Sequence, residues 1–422
     1  MSKFLSLVPN LTLINFSSLL IYILPISILS GPFIPDLSIV IVSIIFLYLT
    51  IKKKEWKYYR NNFFIFFIIF CSYLIITSLL SEFKYISLEA SLFYFRFTLF
   101  SLAIWFLIDN NKNFIKIFTQ FLLATFIFIL LDGYIQFFFE YSIFNLAPTF
   151  NNRLTLTLTD KLILGGYISR LFPLLLALLI YNYSLRKNTI IYSLLLLILT
   201  DVLVYLSGER TAIGILFIST LYIIFLISKF RILRSISLII SLIIIVFITV
   251  FSSEVKNRNI DKTLDQMNFN SPQYDILMFS PEHDSMYRTS FNMFLKNPIK
   301  GIGPKNFRNL CNDNKYKIND RGCSTHPHNT YLQILAETGT IGFIFLLVLL
   351  IYIFRETVGH MFSFFSGKKR RLSDYQVCLM ACFVCTLFPF LPTQNIFNNW
   401  ISIIYFLPVG FYLQSISSIK NQ

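Results

Sequence analysis

Residues 238–251 read Leu238-Ile-Ile-Ser-Leu-Ile-Ile-Ile-Val-Phe-Ile-Thr-Val-Phe251, a run without a single charge. With its flanks it fills 233–252, about the 20 mostly apolar residues an α-helix needs to cross ~30 Å of hydrocarbon. In lipid every backbone N–H and C=O must be satisfied within the segment, so such a run is a helix. The same test finds eleven more runs, at roughly 12–29, 35–51, 62–80, 88–109, 115–139, 166–183, 189–206, 210–228, 338–355, 374–392 and 396–415. Composition agrees. Of 422 residues 55% are hydrophobic and only 14% charged, against roughly 25% charged in a typical soluble protein. The predicted fold class is all-α: a polytopic integral membrane protein with about twelve transmembrane helices, whose surroundings are membrane lipids.

Three connections are too polar for the bilayer: 140–163, 253–337 and 356–373. The longest divides the chain into 1–252 (helices one to nine), a partly helical loop 253–337, and 338–422 (helices ten to twelve). Met1–Lys3 leads into an apolar run with no small-residue cleavage site, so the first run is expected to stay as a helix. Lys and Arg set the orientation. With the N-terminus inside, nineteen fall on the inner side, among them Lys3, Arg186, Lys187, Arg234 and Lys420. The short outer segments hold four: Lys84, Arg153, Lys161 and Arg210. Both termini are then cytoplasmic and the 253–337 loop lies outside. The net charge of +15 is spread over these turns and forms no compact basic domain, so no nucleic acid is expected as a partner. Cys71, Cys378, Cys382 and Cys385 fall in the spans and read as small core residues. Cys311 and Cys323 fall in the outer loop, where a disulfide can persist.

The informative residues are polar ones in expensive places. Arg96 lies in span four, Asp132 and Gln136 near the outer end of span five, Arg170 in span six and Asp201 in span seven. Each can be a structural ion pair or a snorkelling side chain. Arg210, in Ser207-Gly-Glu-Arg-Thr, opens span eight at the outer face. There the free N–H groups and dipole of a helix N-terminus favour an anion, and Arg adds a bidentate phosphate donor. In the outer loop, Tyr287, Phe291, Met293, Phe294 and Leu295 share an approximate helical face. Asn297-Pro298 ends that helix, Gly301 and Gly303 turn the chain, and Arg288 projects from it. Thr325-His-Pro-His-Asn then opens an amphipathic stretch leading through Gly339 and Gly342 into span ten. A histidine at that boundary suits proton transfer, and Asn329 suits a substrate oxygen. The pair can equally be a helix cap. A zinc site from His283, His326 and His328 lacks a carboxylate or thiolate partner, so no metal and no cofactor are expected.

His328-Asn329, nine residues, Gly339, two residues and Gly342 resembles the signature of the bacterial O-antigen ligase family. Arg288 before Asn297-Pro298 and Gly301-Ile-Gly303, and the Ser207-Gly-Glu-Arg-Thr turn, resemble that family's surroundings, as does the long loop between spans nine and ten. The strong part covers about residues 200–350. The resemblance implies a GT-C-like glycosyltransferase of the bacterial inner membrane with a periplasmic site. It puts the catalytic residues at His328, Arg288 and Arg210. It adds substrate contacts at Asn329, Arg170, Arg96 and His326. The implied donor is a glycan on undecaprenyl pyrophosphate, and the acceptor is lipid A–core or a growing glycan. O-antigen polymerases and protein-glycosylating oligosaccharyltransferases share the domain or much of the arrangement. Ligase and repeat-unit polymerase are therefore both open at this point. A non-enzymatic transporter of lipid-linked sugars is the reading of another class. It requires charges lining a cavity through the spans, whereas here the distinctive residues gather at the outer face.

Overall fold

The computed structural model describes residues 2–143, 153–156, 158–159, 161–183, 187–269 and 276–420. Arg186 and most of the 140–163 connection up to 152 lie outside the described residues, as do the side chains of Lys3, Lys187 and Lys420. The first half of the chain forms α1 (Ser2–Ser27), α2 (Phe33–Lys53), α3 (Asn62–Leu79), α4 (Lys84–Ser91), α5 (Phe95–Asn110) and α6 (Phe114–Phe139). Next come α7 (Leu164–Asn182), α8 (Lys187–Leu206), α9 (Arg210–Leu226) and α10 (Arg231–Phe251). The loop carries α11 (Ser253–Lys256), a π-helical turn over Asn257–Asp261, α12 (Lys262–Gln266), α13 (Pro281–Lys296) and α14 (Phe307–Leu310). The chain closes with α15 (Thr330–Phe365), α16 (Asp374–Thr386) and α17 (Asn399–Lys420). No strand occurs among the described residues.

Nine helical segments among the described residues are long and apolar enough to cross a membrane. The runs predicted at 189–206, 210–228 and 374–392 form shorter apolar helices, Ile190–Leu206, Arg210–Leu226 and Asp374–Thr386. The protein is thus an all-helical, multi-pass membrane protein. α7 is its centre, buried from Leu164 to Leu178 and packed on α6, α9 and α16. At the periphery α10 exposes Ile232, Ile236, Ile239, Ile243, Val246 and Val250, a face that only lipid can cover without cost.

Three expected boundaries move, each for a local reason. Span four breaks between α4 and α5, which puts Arg96 in the first turn of α5. Span eleven stops at Thr386. Pro389 and Pro392 lack an N–H, and each drives the residue before it out of the α region, so 387–398 becomes a loop. The helix carrying span ten starts at Thr330, well before residue 338, and bends at Gly339 (φ 65°, ψ −167°). That bend frees carbonyls for the loop. The Ile302 N–H donates to Ala336 O at 2.9 Å and the Gly303 N–H to Glu337 O at 2.8 Å, while the Thr340 N–H donates to Pro298 O at 2.8 Å. Both backbones come too close for a side chain. A Cβ on Gly339 would lie 2.3 Å from Ile299 O, and one on Gly301 2.4 Å from the Glu337 carbonyl carbon.

Around this joint the loop has its own small core of Met286, Met293, Ile302, Phe307, Leu310, Tyr316 and Ala336. Cys311 and Cys323 are joined in a disulfide that closes the 311–323 segment over α13. The other four cysteines are buried thiols.

The charges in the spans are largely paired. Asp132 accepts from Gln136 Nε2 (2.8 Å), Ser142 Oγ (3.0 Å) and the Ile143 N–H (2.8 Å). Asp201 takes Arg234 NH1 and NH2 at 2.6 and 2.8 Å. Arg234, counted above among the inner-side charges, is 1% exposed and is a buried structural partner. Arg96 pairs with Asp36 at 3.0 Å and lies over the Phe97 ring.

Candidate active site

At the loop end of the bundle α8 gives way to α9 through Ser207-Gly-Glu-Arg-Thr. Gly208 reverses the chain at φ 69°, and Glu209 becomes the cap residue of α9. The Glu209 side chain turns away from its own helix. Its two oxygens accept the N–H groups of Gly165 (2.8 Å) and Gly166 (3.1 Å) at the start of α7, where a helix N-terminus favours a carboxylate. Arg258, from the π-helical turn, donates Nε and NH2 to Gly208 O at 3.1 and 3.0 Å. Arg153 donates NH2 to Leu162 O at 2.9 Å, and its Cγ would meet a Cβ on Gly208 at 3.2 Å. Arg153, Arg210 and Arg258 therefore gather on one turn. Burial, with the charges of Arg153 and Arg210, pushes the Arg258 guanidinium down to about 10. Arg170 is buried, donates NH1 to Gly166 O at 2.9 Å, and leaves its Nε without a partner. Four guanidinium groups thus surround one carboxylate, an arrangement suited to an anion carrying several charges.

Facing this turn is a stack of imidazoles. The chain has four histidines, and three of them meet here. The His326 and His328 rings lie 4.0 Å apart, and His283 packs edge-on against His328 at 5.6 Å. His328 adopts φ 56°, rare and strained for a non-glycine residue. The conformation is held from both sides. The His328 carbonyl accepts the Thr393 N–H at 2.8 Å, and Asn329 begins α15. Burial and the nearby His283 lower the His328 imidazole to about 4. Burial and His328 lower His326 to about 3. His283 is lowered as well, by burial, with the charge of Arg210 acting in the same direction. All three rings are accordingly neutral at pH 7.

The predicted site residues divide between those that face open space and those whose atoms are already bound. Asn329 is the helix cap. Its Oδ1 accepts from the N–H groups of Tyr331 (2.9 Å) and Leu332 (3.1 Å), and its Nδ2 donates to Pro389 O at 3.2 Å. His326 has Nε2 on Thr393 O (3.2 Å) and Nδ1 beside Thr325 Oγ1 (3.1 Å). Arg288 is 66% exposed, and only its Nε is bonded, to Asp284 at 2.7 Å. It borders a groove of about 530 Å³ with Tyr287, Phe291, Leu295 and Leu332. Arg96 is held by Asp36, with no contact to the histidines among the described residues. No group of three His, Cys, Asp or Glu side chains is placed to hold a metal ion among the described residues.

Two parts of the site have no counterpart in the sequence reading. Arg153 and Arg258 are ordinary loop arginines until the fold assembles their turn. The 387–398 loop is the wall behind His328. Thr393 Oγ1 accepts from Thr330 Oγ1 at 2.8 Å, Asn395 Oδ1 accepts from Gln333 Nε2 at 2.7 Å, and the Tyr331 hydroxyl donates to Leu387 O. Its signal was the Pro389 and Pro392 pair inside an otherwise apolar run.

Fold and site define a multi-pass membrane protein with a cationic, histidine-bearing site on the cap at one end of its helices. Residues 191–347 match the family model described as O-antigen ligase, a family whose members are glycosyltransferase-like enzymes. The matched stretch contains the Arg210 turn, α13 and His328; Arg153, Arg170 and the 387–398 wall lie outside it. No curated protein matches the chain.

Proposed function

We propose that this protein is an O-antigen ligase. It transfers a polysaccharide from undecaprenyl pyrophosphate to a lipid A–core acceptor, at the periplasmic face of the bacterial inner membrane. The chain crosses that membrane twelve times with both termini in the cytoplasm, and the 253–337 loop covers the site. The observation that carries this reading is that the imidazole of His283, packed on His328 at 5.6 Å, feels the charge of Arg210, which brings the histidines and the arginine turn to one end of the bundle. A base and a cluster of phosphate donors, over a hundred residues apart in sequence, occupy one end of the bundle.

The chemistry follows from the groups. Breaking the sugar–pyrophosphate bond leaves a lipid diphosphate, a good leaving group only when its growing charge is stabilised. Arg210, with Arg170 near the same turn, supplies that charge, and Arg288, exposed on α13, is the third donor to the bound diphosphate. His328, neutral in the free protein, is ready to accept the proton of the acceptor hydroxyl. As a weak base it gains from the arriving diphosphate, whose negative charge raises its pKa toward neutrality. The hydroxyl displaces the diphosphate directly at the anomeric carbon and inverts its configuration. No paired acidic motif accompanies the arginines, so guanidinium groups take the place that Mg²⁺ holds in carboxylate-rich sites.

Two outcomes are expected from the purified protein given donor and acceptor. Transfer persists in EDTA; loss of activity restored by Mg²⁺ or Mn²⁺ would overturn the metal-free reading. His328 acts only when neutral and its folded pKa is about 4, so kcat/KM is expected to fall only as pH drops through about 4. A limb near 6.5 would mean that His328 is solvated or that another group is the base. Gene deletion separates ligase from polymerase. Losing a ligase leaves long polymer on the carrier lipid, whereas losing a polymerase leaves single repeats on the core.

A further inference from the structure

His283 has no task in the mechanism above, yet its ring is packed on three sides. Its neighbours are Phe279 at 5.9 Å, Tyr287 at 6.1 Å and His328 at 5.6 Å. Ser280, the cap of α13, fixes its rotation. Ser280 Oγ accepts the His283 backbone N–H at 3.4 Å and lies 2.8 Å from His283 Nδ1. The other ring nitrogen, Nε2, has no partner among the described residues, and the side chain is only half-buried. One turn further along the same helix the Tyr287 hydroxyl is buried without a hydrogen-bond partner. A buried hydroxyl left unpaired is costly, and a ligand oxygen would offset that cost. His283 Nε2 and the Tyr287 hydroxyl are thus two open donors one turn apart on α13, beside His328, and the charge of Arg210 also acts on the His283 ring.

We propose that His283, together with Tyr287, is a hydrogen-bond donor to the diphosphate bound at Arg210. The inference rests on the reading of the site given above. The required tautomer follows from the surroundings. With the proton on Nδ1, a bare Nε2 lone pair would face the anion. With it on Nε2, the ring donates to the anion and Nδ1 accepts from the Ser280 hydroxyl. Glu282 also reaches that hydroxyl, and the bound anion decides between the two arrangements. His283 then shares the leaving-group charge from the α13 side while Arg210 takes it from the α9 side.

Glutamine and asparagine separate this role from packing, because a Gln amide nitrogen can stand near the place of Nε2 and an Asn amide only near that of Nδ1. The test is calorimetric binding of inorganic pyrophosphate to the full-length protein in detergent, with glycan transfer measured on the same samples. His283→Asn and Tyr287→Phe are each expected to weaken pyrophosphate binding about 10-fold or more, as loss of a hydrogen bond to a charged group would. His283→Gln is expected to stay within about 3-fold of wild type. The inference is overturned if wild type binds no pyrophosphate, if His283→Asn binds like wild type, or if Gln and Asn weaken binding equally. Tyr287→Phe removes one oxygen and keeps the ring packing, so it remains informative should a His283 variant fail to fold. Normal transfer by His283→Asn would sink the inference and leave the ligase reading intact. Pyrophosphate binding with the expected variant pattern, but no transfer by wild type, would do the reverse.

Discussion

Protein carrying His328→Ala is expected to insert normally and to lose glycan transfer by about 10²–10⁴-fold, the usual contribution of a positioned general base. The side chain packs against other imidazoles at the edge of the cap, and none of its own atoms holds the 387–398 wall. That contact is made by the backbone carbonyl of residue 328, which alanine retains. Arg288→Ala is expected to behave alike, with a loss of about 10²–10³-fold from removal of one donor to the developing charge. Its only bond is an exposed pairing with Asp284, worth at most about 1 kcal/mol. The check is transfer by each purified variant beside its membrane yield and thermal melting. Near-normal transfer by either variant would remove that residue from the mechanism.

The second large effect is expected at the joint between loop and bundle. Gly301→Ala and Gly339→Ala each place a methyl group 2.4 Å or less from backbone atoms of the opposing segment. Both positions also have φ near 65–69°, a conformation costing a non-glycine residue of order 1–3 kcal/mol. Neither segment can yield without breaking the hydrogen bonds from Ile302, Gly303 and Thr340 that cross the joint. Both variants are therefore expected to lower the melting temperature sharply and to lose transfer together with stability. Gly367→Ala is the control: it shares the positive φ but has nothing within 4 Å of the added Cβ. It is expected to cost only the backbone strain. Equal melting temperatures for all three variants would show that the crossing hydrogen bonds do not hold the cap.

Apolar length carried most of the architecture, because a bilayer punishes any other use of 20 uncharged residues. It failed where a local rule outranks hydropathy. The two prolines after Thr386 cut one span, and the glycine at 339 joined two segments that polarity alone divides. Spacing and resemblance singled out His328, Arg288 and Arg210, whose roles are proposals. The role of Asn329 was legible only as one of two options, and the fold makes it the cap of α15. Arg153, Arg258 and the reach of Glu209 to α7 were not legible. Each depends on pairings between segments far apart in the chain, and no short motif encodes those. His283 was visible only as a conceivable zinc ligand, since sequence cannot show which face of α13 meets the imidazole stack.

The buried Asp201–Arg234 pair bears on how the chain is made. Either charge left alone in hydrocarbon is costly, and Thr220 of α9 completes the cluster by accepting from Arg234. Released one at a time from the insertion machinery, α8 and α10 would each carry a lone ion into the lipid. α8, α9 and α10 are therefore cheapest to hold in lipid as one group, with the ion pair already formed.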